Sequence, residues 1–203
     1  MQKIIKLALR NARNKYGPAP AFEPIDLLRA FFELGSSQLS RSELASRLDL
    51  GEGTARSIIR RLIGEGLAQI RKRGCVLTKR GVQEFSALRK MVREIGAIRA
   101  SGITFNEKSI GLLVRGGARR VKMGIEQRDA ALREGAMGAT VLIKTSGLHL
   151  TGSFDDTKFI TPDVEKELET VFNPASGSAI ILCYAKEKLA AHRGVWAAFL
   201  TLC

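Results

Sequence analysis

Residues 40–81, SRSELASRLDLGEGTARSIIRRLIGEGLAQIRKRGCVLTKRG, contain the signals that decide the fold of the chain. Ser40 and Glu43 form a capping-box pattern, in which each side chain accepts a hydrogen bond from the backbone amide of the other residue. A helix is therefore expected to begin here and to run to about Leu48. A short turn over residues 49–53 follows, because two glycines within it allow the backbone to change direction sharply.

A second helix is predicted over residues 54–63, where apolar side chains recur at helical spacing. The side chains that can pack against the preceding helix are Ala55, Ile58, Ile59 and Leu62. The opposite face has polar and cationic side chains, namely Thr54, Arg56, Ser57, Arg60 and Arg61. Three arginines on one short helix suit contacts with phosphates and bidentate hydrogen bonding to guanine.

A hairpin with a basic tip is predicted next. Residues 67–70 and 75–77 have the composition of short strands. The tip between them consists of Arg71, Lys72, Arg73 and Gly74. A long helix is then expected over residues 79–99, with Thr78 as its cap. Two more helices are expected before residue 40, over residues 3–15 and 25–34.

This order of elements is that of a winged helix-turn-helix: helices joined by a short turn, then a hairpin that projects as a wing. Such domains place one helix in the major groove of DNA, which is about 12 Å wide. We therefore predict that residues 54–63 are a recognition helix for double-stranded DNA. Residues 71–74 are predicted to contact the DNA backbone or the minor groove. Docking on another protein is an alternative use of the same fold.

The charge of the chain is concentrated in its first half. The 203 residues include 33 Lys and Arg and 20 Asp and Glu, for a net charge of +13. Residues 1–100 contain 20 of these cationic and 9 of these anionic side chains, whereas residues 101–203 contain 13 and 11. Because a basic surface attracts a polyanion, the first half is predicted to bind nucleic acid and the second half to have another role.

The second half has the pattern of a small α/β domain. Strand composition is found in residues 109–114, 140–144, 148–151 and 178–184. Helical spacing is found in residues 121–134, 162–172 and 187–202. Without the last helix, the order βαββαβ matches ferredoxin-like domains. We therefore expect an α+β protein: a winged helix-turn-helix with its N-terminal and linker helices over residues 1–100, and an α/β sandwich for effector sensing or dimerisation over residues 101–203.

A glycine turn in the second half is the candidate site for an effector. A turn, a helix N-terminus and several cations together favour an anionic small molecule. The candidate residues are Gly116, Gly117, Arg119, Arg120, Lys122 and Arg128. The alternative is an ordinary strand-to-helix turn with solvated cations, because the phosphate-binding pattern GxxxxGK followed by Ser or Thr is absent from the sequence.

Two parts of the sequence resemble known archaeal proteins. The stretches GEGTARSIIRRL (51–62), EGL (65–67) and LTKRG (77–81) resemble archaeal winged-helix transcriptional regulators. Residues 124–131, GIEQRDAA, are similar to an uncharacterised archaeal family in which a winged helix precedes a C-terminal domain of unknown function. The resemblance implies a regulator of transcription, and no catalytic or ligand-binding residues follow from it.

The residues that build metal or catalytic centres are few and scattered. The cysteines are Cys75, Cys183 and Cys203, and the histidines are His149 and His192. This spacing offers no zinc ligand set, and we expect no metal and no cofactor. An enzyme fused to a winged helix is a less favoured alternative. The sequence shows no convincing catalytic arrangement of paired carboxylates, of Ser, His and Asp, or of Cys and His.

Location and assembly are also expectations from the sequence. No apolar run approaches the roughly 20 residues needed to cross a bilayer, so no membrane partner is expected. An odd number of scattered cysteines is typical of the reducing cytoplasm. A homodimer is expected, because operators for helix-turn-helix proteins commonly have two-fold symmetry.

Overall fold

The computed structural model describes residues 3–10, 22–96, 98, 109–152 and 160–203. In these ranges the chain is an α+β protein with two antiparallel sheets. Contacts divide it into two compact units, Met1–Arg89 and Lys90–Cys203.

The first unit combines helices with a two-stranded hairpin. Its helices are α1 (Lys3–Leu9), α2 (Pro24–Ser36), α3 (Arg41–Leu48), α4 (Glu52–Gly64) and the greater part of α5 (Lys79–Met91). Its strands are β1 (Ala68–Arg71) and β2 (Gly74–Leu77), paired antiparallel. The predicted helix over residues 3–15 is confirmed through Leu9, and its residues 11–15 lie outside the described ranges.

The predicted capping box at the start of α3 is confirmed. Ser40 Oγ accepts a hydrogen bond from the Glu43 amide at 3.2 Å, and Glu43 Oε2 accepts one from the Ser40 amide at 2.7 Å. Hydrogen bonds from the Ser40 side chain and then its backbone lower the pKa of the Glu43 carboxyl, because they favour its charged form. The start of α3 is therefore determined by residues three positions apart.

The turn between α3 and α4 differs from the prediction. Asp49 has a left-handed backbone, with φ 55° and ψ 53°, and its amide bonds to carbonyls in the last turn of α3. Gly51 has φ −66°, which any residue adopts, and an added Cβ at Gly51 or Gly53 would meet no atom within 4 Å. The predicted role of the two glycines is wrong. Asp49 makes the bend, because aspartate tolerates the left-handed region better than most residues.

One face of α4 packs in the core of the first unit. The four predicted apolar residues of α4 are all buried, namely Ala55, Ile58, Ile59 and Leu62. In the same unit, the ring of Phe85 in α5 packs edge-on against Phe31 and Phe32 of α2, with centroids 6.3 and 5.4 Å apart. A buried ion pair in α2 adds a polar contact: Arg29 Nη1 lies 3.3 Å from Asp26 Oδ1 and 3.4 Å from the Leu48 carbonyl oxygen at the end of α3.

Thr78 and Gly81 join the hairpin to α5. Thr78 Oγ1 accepts a hydrogen bond from the Gly81 amide at 3.0 Å and donates one to the Gly66 carbonyl at 2.7 Å. The backbone of Gly81 packs directly on the chain that enters β1, so an added Cβ would lie 2.1 Å from the Leu67 carbonyl oxygen. The LTKRG pattern therefore has a physical basis: a helix cap and a glycine at a close backbone contact.

The second unit is an antiparallel sheet with helices on both faces. In the described residues its strands are β3 (Val92–Gly96), β4 (Ser109–Val114), β5 (Gly138–Lys144), β6 (Leu148–Leu150) and β7 (Ala179–Tyr184), in the order β3-β4-β7-β5-β6. Its helices are α6 (Ile125–Arg133), α7 (Pro162–Phe172) and α8 (Lys188–Leu200), with a 3₁₀ turn at Ala118–Arg120.

The two central strands, β4 and β7, are almost entirely buried. One face of the sheet packs on α7, through Leu113, Ile180, Leu182, Leu168 and Phe172. Alternate residues of the same strands, such as Leu112 and Ile181, lie on the other face, because strand side chains alternate. Helix α8 packs on β4 and β7, and α6 packs on α8 and β5.

The predicted long helix over residues 79–99 is wrong beyond Met91. Residues 92–96 form β3, in which Val92 pairs with Val114 and Glu94 with Leu112. Apolar residues at Val92 and Ile95 fit helical spacing, and only the open edge of β4 favours the extended form. The contacts consequently divide the chain after Arg89 rather than at residue 100.

The predicted order βαββαβ along the chain is confirmed from β4 to β7, but the strands do not pair as in a ferredoxin-like sheet. Such a sheet would make β4 and β6 parallel neighbours. Instead β7 lies between β4 and β5 and is antiparallel to both, with Ile181 opposite Leu112 and Val141. Strand β7 suits the centre of the sheet because its run of apolar residues can be buried on both faces.

The close contact at Gly81 leads to a stability prediction. Gly81→Ala should lower the free energy of unfolding by about 2–4 kcal/mol, because the new methyl group collides with a backbone oxygen that cannot move alone. Gly64→Ala is the matched control, since an added Cβ at Gly64 meets no atom within 4 Å. In α4 this change should stabilise the chain by up to about 1 kcal/mol. Urea unfolding followed by circular dichroism measures both, and equal stabilities would contradict the prediction.

Candidate functional site

The cations predicted on residues 54–63 lie on the solvent-facing side of α4. Arg56, Ser57, Arg60 and Arg61 are exposed, and Thr54 is half-buried. Arg56 and Arg60 are four residues apart, which places them one above the other on a helix. Within the described ranges neither has an acidic partner. Their charge is therefore available to a ligand.

Arg61 differs from these two arginines because it lies near an acid. Its Nη2 is 3.7 Å from Glu65 Oε1, while Lys3 Nζ is 2.9 Å from Glu65 Oε2. Lys3 Nζ also donates to the Glu65 carbonyl oxygen at 2.7 Å. The hydrogen bond from Lys3, with smaller help from Arg61, lowers the pKa of the Glu65 carboxyl. The charge of Arg61 is thus partly compensated within the protein.

The acidic residue at the start of α4 is compensated in the same way. Glu52 Oε2 lies 2.7 Å from Arg41 Nη2 and accepts a hydrogen bond from Arg41 Nε at 2.9 Å. Both side chains are about half exposed. Because the ion pair cancels the negative charge of Glu52, the first turn of α4 does not repel an anion as an isolated glutamate would. Sequence analysis missed this pair, which joins residues 11 positions apart.

The hairpin presents the second group of predicted cations. Arg71, Lys72 and Arg73 are all exposed, and the described part of the chain provides no acidic partner for them. Gly74 ends the turn with φ +131°, and an added Cβ would lie 2.4 Å from the Leu39 carbonyl oxygen. The tip therefore has its cations free and its base fixed by a backbone contact.

Leu39 adds a third segment to this hairpin. Its amide donates to the Cys75 carbonyl at 3.1 Å, and its carbonyl accepts from the Cys75 amide at 2.7 Å. Burial raises the pKa of the Cys75 thiol, which keeps the thiol protonated and unreactive at neutral pH. Helix α4 packs against β1, the strand that leads to the tip. The two groups of cations thus occupy elements in direct contact.

The glycine turn predicted to bind an anionic effector has two of its first amides engaged within the protein. The Gly117 amide bonds to the Val114 carbonyl at 3.2 Å, and the Ala118 amide to the Gly177 carbonyl at 3.0 Å. Arg120 Nη1 donates to the Leu202 carbonyl at 2.7 Å, and the α-helix begins only at Ile125. The turn therefore resembles the alternative, an ordinary connection. Gly116 and Arg119 are exposed beside it.

The other two residues of the predicted effector set lie at open cavities. Arg128 lines one of about 320 Å³, and Lys122 lines one of about 370 Å³. The two cavities share Leu150, Thr151 and Gly152. Arg128 is paired with Asp129 at 3.0 Å, which compensates its charge. The residues predicted to bind an effector therefore lie partly at the glycine turn and partly at the two cavities, and they do not form a single anion site.

Two further searches cover only the described residues. No three side chains of His, Cys, Asp or Glu in those ranges lie close enough together to hold a metal ion. None of the described helices combines the length and the apolar character required to cross a membrane.

Comparisons with known proteins place the second unit near an uncharacterised family. Residues 105–202 match the family model "Domain of unknown function (DUF4443)". The chain is also similar to the solved structure of a hypothetical protein from Pyrococcus horikoshii OT3, with 27% identity and a TM-score of 0.65 over 87% of this chain and 89% of that chain. No curated protein matches. The second unit is thus similar to a domain family of unknown function.

The Lys3–Glu65 contact leads to a pH prediction. The folded-state pKa of Glu65 lies below its unfolded value, so the ionised carboxylate contributes stability that is complete above about pH 5 and lost as the pH falls through the lowered pKa. Lys3→Met should therefore cost about 0.5–1 kcal/mol at pH 7 and less at acid pH.

The matched control for this prediction is Lys6→Met, which removes an exposed charge from the same helix. Urea unfolding at pH 7 and in acid compares each variant with the wild type. A cost of Lys3→Met that is constant with pH would contradict the role of the Glu65 carboxylate.

Proposed function

We propose that the chain is a double-stranded DNA-binding regulator of transcription and that its first unit is a winged helix-turn-helix. The observation that supports this most is the division of α4 into two faces. Its apolar face is buried, while Arg56 and Arg60 stand exposed without acidic partners in the described residues. A helix held in this way can enter a groove of DNA without uncovering its own core.

The order of elements supports the same proposal. Helices α2, α3 and α4 precede the hairpin, and Leu39, between α2 and α3, pairs with β2. A winged helix has this arrangement, in which a short extended segment between the first two helices joins the sheet of the wing. The left-handed backbone of Asp49 ends α3 and begins the short turn to α4, and a helix-turn-helix has a short turn of this kind.

In the proposed complex α4 lies in the major groove. Arg56 and Arg60 hydrogen-bond to guanine edges or to phosphates, and the hydroxyls of Thr54 and Ser57 face the same groove. Arg61, partly compensated by Glu65, contacts a phosphate at the edge of the groove. Arg71, Lys72 and Arg73 contact the backbone or the minor groove from the hairpin. In this proposal α4 recognises the base sequence, and the cations of α4 and of the hairpin together provide the non-specific attraction to DNA.

The second unit is proposed to provide dimerisation or effector sensing. A symmetric dimer would place two copies of α4 about 34 Å apart, one helical turn of DNA. An anionic effector would bind at the cavities lined by Lys122 and Arg128, rather than at the glycine turn, where the Gly117 and Ala118 amides are already bonded. We place the protein in the cytoplasm, where a regulator meets DNA.

Salt-dependent binding to duplex DNA tests the proposal. Arg56→Ala and Arg60→Ala should each weaken binding by about tenfold, and each lost phosphate contact should lower the slope of log affinity against log salt by about one. Lys166→Ala is the control, because it removes an equal charge from an exposed position on α7. Fluorescence anisotropy with labelled duplexes selected from a random library gives the affinities.

Two outcomes would count against this function. Equal affinities for the wild type, Arg56→Ala and Arg60→Ala at several salt concentrations would exclude α4 as the recognition helix. A wild-type protein with no duplex affinity that captures a protein through α4 would favour the protein-docking alternative.

A further inference from the structure

The hairpin of the first unit exposes an apolar side chain beside its basic tip. Ile70 is 62% exposed, the largest value among the large hydrophobic side chains of the described residues. It immediately precedes Arg71 in β1. An isoleucine exposed to this degree gains free energy if a partner removes its apolar surface from water.

The register of the hairpin explains why Ile70 has no cover. Ile70 lies opposite Cys75, and Ala68 lies opposite Leu77. Because side chains alternate along a strand, these four residues share one face of the hairpin. Three of them are buried, with exposed fractions of 1% for Cys75, 3% for Ala68 and 7% for Leu77. Ile70 therefore lies on the core-facing side, at the point where the hairpin extends beyond the core.

The charges beside Ile70 restrict what can cover it. Arg71, Lys72 and Arg73 follow without a break, and none has an acidic partner in the part of the chain that the structure describes. An apolar partner surface would cover Ile70 but would strip water from three cations without compensation. The minor groove of DNA can cover Ile70 and also pair with the cations, because its walls are deoxyribose carbons and its rims are phosphates.

We propose that Ile70 enters the minor groove of B-form DNA and packs against the deoxyribose walls, while the cations that follow it bind the phosphates on the rims. This inference rests on the proposed function and adds a specificity to it. Duplex RNA has a wide, shallow minor groove lined by 2′-hydroxyls, which cannot enclose an apolar side chain in the same way. Ile70 accordingly favours DNA over RNA.

The test separates apolar from ionic contributions by their salt dependence. Ile70→Ala should weaken binding to duplex DNA by roughly three- to tenfold at every salt concentration and leave the salt slope unchanged, because no phosphate contact is lost. Lys72→Ala should instead lower the slope by about one. Val82→Ala is the matched control, since Val82 is 51% exposed on α5, and it should bind as the wild type does.

A duplex RNA of the same sequence completes the experiment. The ratio of DNA to RNA affinity should fall in Ile70→Ala and be retained in Ile70→Val, which keeps a branched apolar side chain. All variants are at exposed positions, and circular dichroism verifies that they fold.

Three results would overturn the inference. If the wild type binds duplex DNA and Ile70→Ala binds equally well, Ile70 makes no contact and the proposed function stands without it. If Ile70→Ala changes the salt slope, the loss comes from displaced cations rather than from an apolar contact. If the wild type binds no duplex at all, the proposed function fails, and the inference fails with it.

Discussion

The burial of one face of α4 is the constraint on which the first unit depends. Ala55, Ile58 and Leu62 are fully buried, and each residue along a helix turns its side chain by about 100°. Rotation of α4 by a single residue would therefore expose this set and force arginines into the core without partners, at a large cost in free energy. The packing that satisfies the hydrophobic effect is thus the packing that presents Arg56 and Arg60 to solvent.

Close contacts between backbones give the hairpin a fixed base. Gly74 lies against Leu39, and Gly81 lies against Leu67, at distances that leave no room for a Cβ. The two hydrogen bonds between Leu39 and Cys75 add a third segment to a ribbon that would be only marginally stable alone. A short hairpin held at its base in this way can place three adjacent cations at its tip with little stabilisation from the tip itself.

Compensation of charge separates the cations of the first unit into two groups. Arg41 and Lys3 are engaged with Glu52 and Glu65, and these acids would otherwise oppose an approaching polyanion. Arg56 and Arg60 have no such engagement in the described residues, so their charge adds to the attraction of this surface for a polyanion. Several cations of the second unit are engaged instead, as Arg120 is with the Leu202 carbonyl and Arg193 with Glu134.

Local signals in the sequence determined the helices of the first unit, the capping box at Ser40, the two faces of α4 and the basic tip of the hairpin. These signals act between residues no more than about four positions apart, or across one tight turn, so the sequence alone contains them. Only the tertiary structure decided that residues 92–96 are a strand, that β7 lies between β4 and β5, that Leu39 pairs with Cys75, and that the Gly117 and Ala118 amides are already bonded. Each depends on a partner distant in sequence, such as the open edge of β4 for β3 or the Gly177 carbonyl for Ala118, and no local pattern specifies which partner a backbone group will find.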